Sequence, residues 1–240
     1  MERRRRTAPR LAGLIACAAV PAVLLTACSS GSGSDKGGDS AGSSPSGSAS
    51  TSGAAGTTAP AVAPAKFHTL PPACTAVTKA TVAALVPKVK DAGGTTTKNA
   101  AIQDRGGCSW TGNGSDGYQY RWLSVTLQRF ASDAQLGSGE DQAKKRYTDQ
   151  VATLGAAKGL TKSPVAGIGD EATSVAGKAT VSQITSQNDT VVIRTGNVLL
   201  TVEYNGAGLE GKKNPTASTV VSGADRAAKD AVAAVAAANA

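Results

Sequence analysis

Histidine is almost missing from this chain. A single imidazole, His68, among 240 residues leaves no material for an ordinary Ser-His-Asp or Cys-His arrangement, nor for a histidine-rich metal site. Cysteine is scarce as well: the four present show no Cys-x-x-Cys spacing, so the usual zinc and dithiol motifs are absent. Aromatic residues make up 3% of the chain, which leaves Val, Leu, Ile and Ala to build a core. It also removes the interleaved basic and aromatic platform that would argue for nucleic acid. Long apolar runs are lacking too. The main one, Leu11 to Leu25, is interrupted by Pro21 and falls short of the about 20 apolar residues that a spanning helix needs. These absences lead to the expectation of a protein that is not an enzyme, with no catalytic residue, cofactor, metal or nucleic-acid partner.

What is present points first to export. Arg3, Arg4, Arg5, Arg6 and Arg10 precede that apolar run, the layout of a signal peptide. Leu25-Thr26-Ala27-Cys28 closes it and looks like a bacterial lipobox. Residues 1–27 are therefore read as a lipoprotein signal and Cys28 as the lipidation site, in preference to plain cleavage after Ala27 or a twin-arginine signal. Two acyl chains on Cys28 give stable rather than marginal anchoring. The reading implies a lipid-anchored protein on the extracytoplasmic face of the cell membrane. Half of the net charge of +8 belongs to the leader, since the chain from Cys28 onward carries 20 basic and 16 acidic side chains.

Residues 28–65 comprise Cys28 and a stretch almost wholly of Ser, Gly, Ala, Thr and Pro, with Val62 its only bulky aliphatic. Such a composition cannot bury a core and reads as a disordered tether with a reach of roughly 30 to 35 Å. Cys17 leaves with the signal and Cys28 takes the lipid, so Cys74 and Cys108 remain as a disulfide pair in an oxidising compartment.

Residues 66–240 are the size of one domain. Thr78 is placed to cap a helix that runs through Val86 and ends at Pro87. Thr95 to Ile102, Gly107 to Thr111 and Tyr118 to Phe130 read as strands. Ser138 with Asp141 resembles a capping box, and Ala143, Tyr147, Gln150, Val151 and Leu154 follow at helical spacing. Gly196-Asn197 is a two-residue hairpin turn between strands Asp189 to Thr195 and Val198 to Tyr204. Its register sets Thr195 against Val198, Ile193 against Leu200 and Val191 against Val202, leaving Thr190, Arg194, Thr201 and Glu203 on the other face. An Ala-rich helix starting at Asn214-Pro215 or at Ser222, with Ala228, Val232 and Val235 on one side, is the natural cover for the apolar face. The pattern predicts a single α+β domain: a mainly antiparallel sheet, three flanking helices and one disulfide.

With Cys74 before the first helix, Cys108-Ser109-Trp110 in a strand, Gly167-Ile168-Gly169-Asp170-Glu171-Ala172 after the second helix, and Arg194-Thr195-Gly196-Asn197-Val198 in the closing hairpin, the chain resembles a group of actinobacterial secreted lipoproteins of unknown function. More distantly its layout is similar to the extracellular sensor domains of mycobacterial serine/threonine kinases, which carry a second disulfide that this chain has no cysteines to form. Neither family supplies catalytic residues.

The segment from Gly167 to Ala172 formally matches a dinucleotide-binding Gly-x-Gly-x-x-Ala, but no buried strand and helix flank it, so it is read as a turn entering a strand. Asp170 and Glu171 would point to opposite faces if extended and would not form an acid/base pair. One functional pattern stands out: Tyr118, Tyr120 and Trp122 share one face of their strand, opposite Leu123, Val125 and Leu127. An exposed aromatic strip suits sugars, peptides or a partner protein; a bulge near Trp122 or a covering helix would instead bury it. The expected function is that of a non-enzymatic binding, sensing or accessory module with an envelope-protein or cell-wall partner. The alternatives are solute capture for a transporter, and an envelope hydrolase built from carboxylates such as Asp104, Asp116, Asp170 or Glu203.

Overall fold

The computed structural model describes residues 62–97 and 104–240, all within one compact unit, Gly56–Ala240. The signal, Cys28 and most of the tether lie outside the described residues, as does Ile102.

Thr78 caps the first helix, α1 (Lys79–Leu85), its hydroxyl accepting from Thr81 N at 3.2 Å. Short strands β1 (Lys88–Val89) and β2 (Thr95–Thr96) lead into β3 (Arg105–Asn113) and β4 (Gln119–Arg129). Helix α2 (Gly139–Gly155) begins at Ser138, whose hydroxyl accepts from Asp141 N at 3.0 Å. Then come β5 (Leu160–Pro164), β6 (Glu171–Val181), β7 (Ile184–Thr195) and β8 (Val198–Gly208), and finally α3 (Ala217–Ala237). Thr216 caps α3, so this helix starts between the two positions that the sequence offered.

The strands form one antiparallel sheet in the order β1-β3-β4-β8-β7-β6-β5, with β2 also on β3. The β7–β8 register is the expected one: Thr195, Ile193 and Val191 face Val198, Leu200 and Val202. Gly196 takes φ +52° at the first turn position, the conformation that a II′ hairpin turn requires.

The apolar side of the sheet carries Trp110, Leu123, Val125, Leu127, Val191, Ile193 and Tyr204, all at most 2% exposed. Helices α3 and α1 cover it. Ala224, Ala227, Ala228 and Ala231 are fully buried, and such small residues let α3 lie close to the strands. At Gly223 the approach is tightest, since a Cβ there would meet the Tyr204 ring at 2.6 Å. Tyr204 spends its hydroxyl on the α1 end, donating to Leu85 O at 2.7 Å. Cys74 lies in a 3₁₀ turn (Ala73–Thr75) before α1, and its bond to Cys108 ties that turn to β3.

Two asparagines fasten the chain's crossings. Asn197, wholly buried, accepts from Phe67 N at 2.7 Å and donates to Phe67 O at 2.9 Å and Phe130 O at 2.8 Å. Asn239 accepts from His68 N and Thr69 N at 2.8 and 3.0 Å and donates to Thr69 O at 3.1 Å. The beginning of the folded region is thereby held against its end.

One buried polar feature lies on the apolar side. The Asp189 carboxyl, 1% exposed, accepts from Ser174 Oγ at 2.7 Å through Oδ1, while Oδ2 has no partner. Burial pushes its pKa up to about 6, and the negative charge of Asp225 on α3 adds to that rise against the opposing Ser174 bond. Asp225 is itself raised by burial, with Lys229 acting against the shift. A carboxyl whose folded pKa lies above its unfolded value holds more protons when folded, so stability falls as pH rises from about 4 to about 6 and the loss is complete at pH 7. Asp189→Asn keeps the acceptor for Ser174 and removes the charge. It is expected to stabilise the domain at pH 7 by about 3 kcal/mol and to flatten urea-derived stability between pH 4 and 6; equal stability of the two proteins at pH 7 would refute this.

Candidate functional site

The other side of the sheet has helical cover at one end only. There α2 crosses the strands, with Tyr147 Oη sharing a hydrogen bond with Thr173 Oγ1 at 2.6 Å and Gln150 Nε2 donating to Thr201 Oγ1 at 2.7 Å. These are two of the residues that the sequence put at helical spacing, and they are how α2 grips the sheet.

Beyond α2 the face is open. Strand alternation brings Tyr120, Trp122, Ser124, Thr126 and Gln128 of β4 to this side, beside Asn205, Glu203, Thr201 and Leu199 of β8. The pairing of β4 is unbroken from Tyr120 to Gln128 against β3 and from Gln119 to Arg129 against β8, so no bulge turns the aromatics inward. Tyr120 is 36% exposed and Trp122 half-buried, while Leu123, Val125 and Leu127 fill the core as expected. Tyr118 departs from the group. It precedes β4, and its ring lies under the Lys212 ammonium, 4.9 Å from the centroid.

Four hollows follow one another along this face, neighbours sharing lining residues. Next to α2 is one of about 310 Å³, bordered by Arg105, Gln128, Arg146 and Gln150. Two of about 230 Å³ lie on either side of Trp122, with Glu203 common to both. The fourth and largest, about 710 Å³, is bounded by Tyr120, Val181, Ile184 and Leu209. Glu203 sits mid-face, where burial raises its pKa against a weak 3.5 Å hydrogen bond from Ser124 Oγ.

The carboxylates considered for hydrolysis are dispersed. Asp104 pairs with Arg129. Asp116 accepts from Tyr118 N at 2.9 Å in the β3–β4 turn. Asp170 joins Arg194 at the start of β6, and Glu203 stands on the open face. Among the described residues no three His, Cys, Asp or Glu side chains gather as a metal would need, and His68 is exposed beside Asn239.

The segment at Gly167 is a turn into β6, as read. The expectation that Asp170 and Glu171 diverge needs correcting, because both reach the Arg194 guanidinium, at 3.1 and 2.8 Å. Asp170 precedes the strand, where alternation does not apply, and Oδ2 also accepts from Gly196 N at 2.7 Å. The pair braces the hairpin. Arg105, Arg146, Val181 and Ile184 were not singled out by sequence; the fold alone gathers them on one surface with Trp122.

No family model matches this chain, and none of the curated proteins does. Among solved structures it is similar to LpqN, described as involved in cell envelope biogenesis of Mycobacterium tuberculosis, at 15% identity and a TM-score of 0.28, over 57% of this chain and 82% of that one. Likeness at that level bears on neither fold nor function.

Proposed function

We propose that this chain is an extracytoplasmic lipoprotein, anchored through Cys28, that binds a molecule of the cell envelope on the open face of its sheet. The observation that carries this reading is the uncovered row of Tyr120, Trp122, Glu203 and Asn205. A sheet face left bare next to a helix that covers the rest exposes aromatic and apolar surface, which favours contact with another molecule. Aromatic side chains with hydrogen-bonding neighbours offer large contact area at low entropic cost. The spread of the carboxylates supports a binding role over the hydrolase alternative. Among the described residues no helix is long and apolar enough to cross a membrane, which is compatible with attachment through the lipid.

The test separates binding from stability. Trp122→Ala and Tyr120→Ala are expected to lower retention of the protein on isolated cell envelopes by about tenfold or more, the effect of removing a central aromatic contact. Their thermal melts should shift little, whereas Trp110→Ala, on the buried side, should cost about 3 to 5 kcal/mol. Unchanged retention per folded molecule, with a large fall in melting temperature for Trp122→Ala, would place the strip in the core.

A further inference from the structure

The chemistry of the open face changes in one direction along the strands. At the α2 end, Arg105 and Arg146 border the same hollow, and neither takes part in the ion pairs among the described residues. In the middle come Thr126, Ser124, Trp122 and Asn205, with the acidic residues Glu203 and Asp189, of which Asp189 turns its carboxyl away to Ser174. At the far end Val181 and Ile184 are 73% and 63% exposed over the hollow of about 710 Å³, whose border also carries Glu210, a further carboxylate set against an anion at this end.

That apolar end is held up by an unusual turn. Val181 faces Ile184 across a two-residue loop in which Ser182 and Gln183 take φ +48° and +69°. Hairpins place Asn or Gly at such positions, because other side chains are strained there. The tight turn holds Val181 and Ile184 side by side at the tip, and their exposed aliphatic surface, unfavourable in water, is relieved when something apolar lies against it.

We propose that the trough holds one amphiphile with a single acidic head, the head between Arg105 and Arg146 and the apolar chain against Val181, Ile184 and Leu209. The inference rests on the binding role argued above and names its ligand class. Length agrees: Gln128 to Tyr120 along β4 spans about 26 Å at 3.3 Å per residue, the dimension of a head group with an extended lipid tail. Charge narrows the choice. Two guanidinium groups at one end favour an anion, while Glu203 in the middle repels a second one. Polyanions are thereby disfavoured and a lone terminal acid accepted. Asn205, Ser124 and the indole of Trp122 suit hydroxyl groups or the first methylenes between head and tail.

The experiment uses the mature chain with Cys28→Ser, so that its own acyl groups do not compete, and hexadecyl phosphate below its micelle concentration as the probe, because a shorter tail would not reach from the arginines to Ile184. Calorimetry is expected to show one saturable site per chain, about tenfold tighter than for hexadecyl maltoside, which has the same tail and a neutral head. Inorganic phosphate alone should bind far more weakly. Arg105→Glu with Arg146→Glu should abolish the preference for the acidic head, and Ile184→Asp should weaken both amphiphiles about tenfold. Lys145→Glu, an exposed change on α2 outside the trough, should alter nothing. These side chains are exposed, so the variants should fold, and melts verify it.

Equal affinity for the two heads, or no saturable site, overturns the proposal. So does sedimentation showing that the apolar tip pairs two copies of the chain and that Ile184→Asp merely separates them. Uptake only by phosphatidylglycerol vesicles, with no binding of the monomeric probe, would overturn it in favour of a membrane-surface contact. If the probe fails while retention on envelopes still depends on Trp122, the ligand class falls and the binding face stands.

Discussion

Asn197→Ala is expected to destabilise the domain by about 4 kcal/mol, because Phe67 N–H, Phe67 C=O and Phe130 C=O are left without their side-chain partner in a buried place. For a domain of this size the melting temperature should fall by roughly 10 °C. The side chain replaces a stretch of sheet or helix: it supplies one acceptor and two donors to backbone that has no regular partner there. Asn197→Asp should be worse still, since a carboxylate keeps the bond from Phe67 N–H but faces two carbonyl oxygens with no proton to offer. Urea denaturation of the two variants beside the parent decides the matter. A loss below about 1 kcal/mol for both would mean that water takes over the three groups.

The disulfide comes next in size. With Cys74 and Cys108 34 positions apart in sequence, loop-closure entropy assigns the cross-link about 4 kcal/mol. Replacing both cysteines by Ala should remove that amount and also lose packing at Cys108, which is 1% exposed. The effect should be readable as a drop in urea midpoint with a changed slope, because the denatured chain becomes more expanded. Thiol counting on the denatured, non-reduced protein should find neither cysteine free. If reduction leaves the midpoint in place, the packing of Ala73, Ala76 and Val77 into the core is enough to hold the turn.

Legibility in the sequence followed the strength of local signals. The β7–β8 hairpin could be written residue by residue because Gly196-Asn197 fixes the turn and alternation then fixes each face. Ser138 and Asp141 marked α2 through capping chemistry, and the opposition of Trp122 to Leu123 and Val125 gave β4 its two sides. Strand β5 was hidden, and β6 was legible only as the strand that the Gly167 turn enters. Leu160–Pro164 and Glu171–Val181 show little apolar alternation; pairing of β6 with β7, and of β5 with β6, makes them strands. For the same reason β7 was expected to begin at Asp189, whereas it begins at Ile184, and the Ser182-Gln183 turn carries neither the Gly nor the Asn that marks a two-residue hairpin. The pairing of Arg105 with Arg146 around one hollow depends on α2 folding back across the sheet, a tertiary event that no local window contains.

The clasp at Asn239 has a mechanical meaning. If the chain is held through Cys28 as proposed, a pull would come from the start of the folded region, where His68 and Thr69 are bonded to the tail of α3 and Phe67 to Asn197 in the β7–β8 turn. Tension would therefore load several bonds together and pass into the longest helix and a central hairpin, instead of peeling an edge strand one bond at a time. Neither clasp uses a residue of the open face, and a tag added at Ala240 would emerge beside Thr69, whose hydroxyl donates to Ala238 O at 2.8 Å.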